Sequence, residues 1–229
     1  MTAELDREHE KRLAAAKSLE FVRDGMCLGL GSGSTAAIML QMLGERVRDG
    51  LHVTGVPTSE ASRRLAERAG ITLLGFDEVS ELDLTIDGAD EVDADLHLIK
   101  GGGGALLREK IVASFSRRVI IIVDSSKRVE RLGAFPLPVE VVSFAWRPIA
   151  ERLQGLGAVS HLRTDEAGTP AMTDEGNWIL DCDFGLIDDP PALAQMLNAI
   201  PGVMEHGLFV GLADVLVVGQ RTDVLVIER

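Results

Sequence analysis

Residues 119–123 read "VIIIV", an unbroken aliphatic and largely β-branched run closed by Asp124. Nothing polar alternates within it, so a strand here has no face to offer to water. Such strands belong to parallel sheets covered by helices on both sides. The flanking sequence has the matching rhythm. Residues 4–23 read as an amphipathic helix, with Ala15, Leu19 and Val22 at helical spacing and Gly25 ending it. "MCLGLG" (26–31) is a short strand running into a glycine loop. "STAAIMLQMLGERV" (34–47) follows as a helix, with Ser34 or Thr35 expected at its N-cap. "HVTGV" (52–56), "LTID" (84–87) and "LHLIK" (96–100) read as further strands. "SEASRRLAERAG" (59–70) and "ALLREKIVASFS" (105–116) read as helices.

Past Phe135 the texture changes. Strands are expected at 137–142, 159–164, 177–184 and 203–209, and helices at 146–157 and 190–200. That order, β-α-β-β-α-β, is the split βαβ pattern of ferredoxin-like domains. "ADVLVVGQ" and "DVLVIE" then return to apolar strands that complete the first sheet. The expected fold class is α/β: a doubly wound, mostly parallel Rossmann-like sheet with an inserted small α+β domain. The expected boundaries are 1–133 and 210–229 for the Rossmann-like catalytic domain, and 134–209 for the small one.

Bulk properties remove several functions. A formal net charge of −13 repels phosphate backbones and argues against a nucleic-acid partner. Cys27 and Cys182, the only cysteines, form neither a disulfide framework nor a metal knuckle. The N-terminus is charged where a signal peptide would be apolar. No apolar run approaches the ~20 residues that span a bilayer. A cytoplasmic protein without a membrane partner is expected.

Ligands of such a sheet bind where loops leave the carboxyl ends of strands, and four of these loops stand out. "GLGSGST" (29–35) offers backbone N–H groups, the hydroxyls of Ser32, Ser34 and Thr35, and a helix N-terminus that favours an anion. It is either a phosphate site or a tight turn before a capped helix. A dinucleotide fingerprint would need glycine at Ser34, and a P-loop would need a lysine. "TIDGADEVD" (85–93) sets Asp87, Asp90 and Glu91 around Gly88; an Asx-rich turn is the bland alternative. It fits no calcium loop, and no metal is expected. "IKGGGGALLREK" (99–110) puts Lys100 before four glycines and Glu109 one turn into the next helix. Gly loses more backbone entropy on folding than any other residue, so the run implies a close backbone approach. "VDSSKRV" (123–129) carries Lys127 beyond the most apolar strand. The five histidines are scattered, and no nucleophile elbow is present.

"GLGSGSTA", "TIDGADEVD", "IKGGGGALLREK", "DSSKRV" and "FPLPVEV", in this order, resemble type A ribose-5-phosphate isomerases. The resemblance covers essentially the whole chain, including the small domain. It implies a cytosolic, cofactor-free, usually homodimeric enzyme that interconverts ribose 5-phosphate and ribulose 5-phosphate in the pentose phosphate pathway. By this resemblance Glu109 is the proton acceptor, and Asp87, Asp90 and Lys100 complete the catalytic set. Ser32, Gly33, Ser34 and Thr35 form a substrate-binding loop. Gly88 and Ala89, Gly101 to Gly103, and Lys127 add contacts, and Lys11 reaches toward the phosphate. Ser32 stands where most members carry Thr, and four glycines stand where three and a small residue are usual.

The reaction such enzymes perform needs one base serving two adjacent carbons, and a positive group or donors at the oxygen that becomes anionic. Glu109 and Lys100 match these roles, with Asp87 and Asp90 shuttling protons between sugar hydroxyls. An ordinary glutamate is a weak base for a sugar α-proton unless water is excluded. Two rival readings remain at this point: a CoA-transferase-like enzyme with a glutamate nucleophile, and a non-catalytic sugar-phosphate sensor.

Overall fold

The computed structural model describes residues 2–229. Strands are β1 (Cys27–Leu30), β2 (Thr54–Pro57), β3 (Thr72–Leu73), β4 (Leu84–Asp87), β5 (Glu91–Val92), β6 (Leu98–Ile99) and β7 (Val119–Asp124). They continue with β8 (Leu137–Val141), β9 (Val159–Leu162), β10 (Trp178–Asp183), β11 (Val203–His206), β12 (Leu208–Phe209), β13 (Val215–Gln220) and β14 (Asp223–Glu228). Helices are α1 (Thr2–Ser18), α2 (Ser34–Arg48), α3 (Glu60–Ala69), α4 (Leu106–Ser114), α5 (Trp146–Gly155) and α6 (Pro190–Asn198).

The chain divides into two compact units. Among the described residues, the first comprises residues 2–89, 108–128 and 211–229. Its seven-stranded sheet runs β14-β13-β7-β4-β1-β2-β3, parallel except for β14, which pairs antiparallel with β13. Residues alternate between its faces. Leu28, Leu30, Leu84, Ile86, Ile120 and Ile122 pack with α1 and α2 through Ala15, Met39 and Leu43. On the opposite face Val112 of α4 packs with Val56 and Leu82. Helices on both faces explain why β7 is buried along its whole length.

Local signals account for several ends. Ser59 caps α3 by accepting from Ser62 N–H at 3.0 Å, and Gly70, at φ +79°, closes it. α1 stops at Ser18 and tightens into a 3₁₀ turn at Leu19–Phe21, short of the expected end at 23. The N-cap of α2 is Gly33, with no side-chain capping bond, rather than Ser34 or Thr35. Its φ of +94° is open to glycine and strained for the hydroxyl residues.

The second unit comprises residues 90–107 and 129–210. Its four-stranded antiparallel sheet runs β11-β8-β10-β9, the neighbour order a split βαβ domain requires. Val139, Val141, Ile149, Leu153, Leu193 and Leu197 form its core with α5 and α6. Asp189 caps α6 by accepting from Ala192 N–H at 2.9 Å, with Pro190 at the first turn.

A three-stranded antiparallel sheet, β12-β6-β5, belongs to the same unit. The strand expected at 96–100 therefore joins this small sheet rather than the large one. The single strand expected at 203–209 is likewise two. Gly207 breaks it, with its N–H on Pro138 O at 2.7 Å, and Leu208 and Phe209 pair with Ile99 and Leu98.

Candidate active site

Strand order reverses at β1, with β2 and β3 on one side and β4, β7 and β13 on the other. At such a reversal the loops leaving the carboxyl ends of the central strands flank a crevice. Here they are the loop from Gly31 to Ser34 and the turn at Asp87 and Gly88. The two are tied together. One oxygen of Asp87, Oδ1, accepts the N–H of Ser32 at 2.9 Å and the N–H of Gly88 at 2.7 Å. A Cβ on Gly31 would lie 2.4 Å from that oxygen, so only glycine lets the loop come this close.

Ser32 is anchored at its side chain as well. Its hydroxyl donates to Ser59 Oγ at 2.7 Å and shares a 2.7 Å hydrogen bond with Thr58 Oγ1. Both polar groups of Ser32 thus shape the loop. Beyond it, Gly33 and Ser34 are exposed and Thr35 is buried. α2 opens without a side-chain cap, so its first N–H groups and positive dipole end face outward, a fit for an anion.

Glu109 is 5% exposed, which rules out the bland reading of a surface helix residue. It lies on one stripe of α4 with the buried Leu106, Val112 and Ala113. That stripe faces the sheet. A Cβ on Gly29 would meet Val112 Cγ1 at 2.6 Å and Thr85 Oγ1 at 1.8 Å. Just past the C-terminus of α4, Ser116 bonds Thr85 Oγ1 at 2.6 Å, and Leu82 N–H donates to Phe115 O at 2.8 Å. α4 therefore runs antiparallel to β4. Glu109 lies one helical turn beyond Val112, about 5 Å toward the carboxyl end of the strand. Strand alternation puts Asp87 on the same face as Thr85. The base candidate and Asp87 thus meet the same edge of the sheet from the same side.

Lys127 ends a 3₁₀ turn capped by Asp124, which accepts from Ser126 N–H at 3.0 Å. Lys11 belongs to α1, whose position at this edge is set by Glu10. The Glu10 carboxylate accepts Ser125 N–H at 2.9 Å, Ser125 Oγ at 2.7 Å and Arg221 N–H at 3.0 Å. Burial pushes its pKa up, but the bonds from Arg221 and Ser125 outweigh this and leave it below the usual carboxylate value. A Cβ on Gly219 would meet Glu10 O at 1.9 Å, so β13 and α1 are in near contact.

In the second unit Asp90 Oδ2 accepts Gly102 N–H at 2.8 Å, and Asp90 N–H donates to Ile99 O at 2.8 Å. Lys100 is 4% exposed. Its N–H donates to Gly207 O at 2.9 Å, and its Nζ sits 5.5 Å from the ring centroid of the buried Phe209. Gly101 (φ +100°) and Gly104 (φ +81°) require glycine conformationally. Gly102 requires it sterically, since its Cβ would lie 2.7 Å from Asp90 Oδ1.

Sequence reasoning missed several supporting groups. Glu10, Thr58, Arg163 and Gly207 sit far in sequence from what they hold and carry no local motif.

The family model for ribose 5-phosphate isomerase A (phosphoriboisomerase A) matches residues 54–223. A ribose-5-phosphate isomerase A of Rhodopseudomonas palustris (strain TIE-1) is 54% identical over 231 residues, covering 98% of this chain and 100% of the relative. One from Nitrobacter hamburgensis is 56% identical over 225 residues, covering 96% and 97%. Among solved structures, a D-ribose-5-phosphate isomerase in complex with phospho-erythronic acid superposes with a TM-score of 0.95 at 42% identity, covering 97% of this chain and 99% of that one. The chain belongs to the ribose 5-phosphate isomerase A family.

Proposed function

We propose that this chain interconverts D-ribose 5-phosphate and D-ribulose 5-phosphate through a cis-enediolate, a step of the non-oxidative pentose phosphate pathway. The observation that carries the mechanism is Glu109, buried on the sheet-facing stripe of α4 at the edge where Asp87 ends β4. The family supports the substrate. A relative that binds phospho-erythronic acid accommodates a short phosphorylated sugar acid. Neither a CoA transferase nor a sensor is favoured, because the relatives named as isomerases match over nearly the full chain.

In the open-chain aldose the Glu109 carboxylate takes the C2 proton. The C2–H electron pair moves into a C1–C2 double bond, and the C1 carbonyl oxygen becomes anionic. Lys100 and the N–H groups of the glycine run are assigned to that oxygen. Glu109 then returns the proton to C1 as the C2 hydroxyl loses its own and becomes the ketone. Asp87 and Asp90 carry the hydroxyl protons and assist opening of the furanose ring. Burial of Glu109 limits water at the reacting carbons. The open N-terminus of α2, with Gly33, Ser34 and Thr35, takes the phosphate together with Lys127 and Lys11, and Gly88 and Ala89 complete the sugar contacts. Binding the phosphate holds the short carbon chain in register.

No metal or cofactor is assigned a role. Among the described residues no helix is long and apolar enough to cross a membrane. Two free cysteines suit a reducing cytoplasm, where we place the protein. Homodimer formation is assigned from the family resemblance. The test of the reaction is incubation with ribose 5-phosphate in D₂O. Ribulose 5-phosphate is expected, with deuterium at C1 in those turnovers in which the proton on Glu109 exchanges with solvent before its return; absence of ketose would overturn the reading.

A further inference from the structure

Arg163 lies just past β9, and its backbone is fixed on both sides. Its N–H donates to Ile179 O and its carbonyl accepts from Ala171 N–H, each at 2.9 Å. Its guanidinium is forked onto Asp181, with Nε on Oδ2 at 2.9 Å and Nη2 on Oδ1. The remaining nitrogen, Nη1, donates to Gly101 O at 3.0 Å and to Gly102 O at 3.1 Å. The two side chains are only 18% and 27% exposed. A planar fork bound to a carboxylate is a rigid donor, and lysine cannot reproduce it.

Those two carbonyls are what a catalytic glycine loop must control. In a trans peptide the C=O of one residue and the N–H of the next point in opposite directions. Gripping Gly101 O and Gly102 O therefore turns the N–H groups of Gly102 and Gly103 away from Arg163. The first is already fixed on Asp90 Oδ2 at 2.8 Å. The second is presented on the same side of the loop. The clamp also keeps the negative ends of two peptide dipoles away from an oxygen that is becoming anionic. Glycine tolerates peptide flips that would undo both effects, so the loop needs an external hold.

We propose that Arg163, oriented by Asp181, is a positioning residue for isomerisation: with the Gly102 N–H held by Asp90, it sets the direction of the Gly103 N–H. This inference rests on the isomerase reading above, in which the Gly103 N–H serves the enediolate oxygen. Losing one preorganised donor costs roughly 10²–10³ in rate, and misaiming it costs part of that.

The test compares Arg163→Ala, Arg163→Lys, Asp181→Ala and the Arg163→Ala/Asp181→Ala double variant with wild type on ribose 5-phosphate. Arg163→Ala is expected to lower kcat about 10- to 100-fold, with KM changed less than about threefold. Arg163→Lys should not restore kcat. The double variant should be no worse than Arg163→Ala, because Asp181 acts through the arginine. Amide exchange at Gly102 and Gly104 should quicken while the amides paired between β8 and β10 keep their protection, which separates loop misaiming from unfolding. A kcat within twofold of wild type in Arg163→Ala, or recovery in Arg163→Lys, would overturn the proposal. If wild type itself makes no ketose, it is the isomerase reading that falls.

Discussion

The glycine run shows how one atom decides a position. Gly102 and Gly103 look alike in the sequence, yet a Cβ at Gly102 would strike Asp90, whereas one at Gly103 would meet nothing within 4 Å. Gly102→Ala should therefore break the bond to Asp90 and lower kcat/KM by about tenfold or more, while Gly103→Ala should cost much less. Steady-state kinetics of the two variants decide this, and equal losses would contradict the asymmetry. The sequence made the run conspicuous because four adjacent glycines are costly. It could not separate their reasons, since Asp90, which forbids a side chain at Gly102, is brought there by tertiary packing, and the left-handed φ of Gly101 is set by the turn it closes. Glu109 was legible as a candidate from its place beyond that run. Its burial was not, because Arg108 and Lys110 on either side read as a solvated surface.

Among the elements, β7 was fully legible, because five aliphatic residues in a row leave only one environment open. β6 was not. Two residues cannot declare their sheet, and Leu98 and Ile99 pair with Phe209 and Leu208, more than a hundred positions away. The start of α2 shows the opposite failure. Ser34 and Thr35 have good capping chemistry, but the chain gives the cap to Gly33 and leaves the helix end open. That opening and the 3₁₀ turn carrying Lys127 form the phosphate end of the proposed site. Lys127→Ala should raise KM for ribose 5-phosphate about tenfold, with kcat nearly unchanged. Unphosphorylated ribose, assayed alongside, should be indifferent to the change. A loss confined to kcat would contradict a phosphate role.

For the molecule as a whole, the two-unit division follows long-range packing more than composition, as residues 90–107 show by packing with the second unit. Glu10 ties α1 to the ends of β7 and β13 in the first unit. Its folded pKa lies below its unfolded value. Its contribution to stability is therefore present above the unfolded pKa and is lost as pH falls through the folded one. Glu10→Gln should lower Tm at neutral pH, and the deficit should shrink below about pH 4. A deficit constant across pH would contradict the linkage. Cys182 is buried with its thiol pushed up to about 12, so the native protein should not present it as a thiolate.

The account rests on Glu109 as the group that moves the proton between C2 and C1. The most direct measurement is kcat of Glu109→Gln on ribose 5-phosphate, with substrate affinity measured on the same preparation. The account predicts a fall in kcat of about 10²–10⁴-fold with affinity nearly retained. A kcat within a few-fold of wild type, or a loss of binding with kcat preserved, would contradict it.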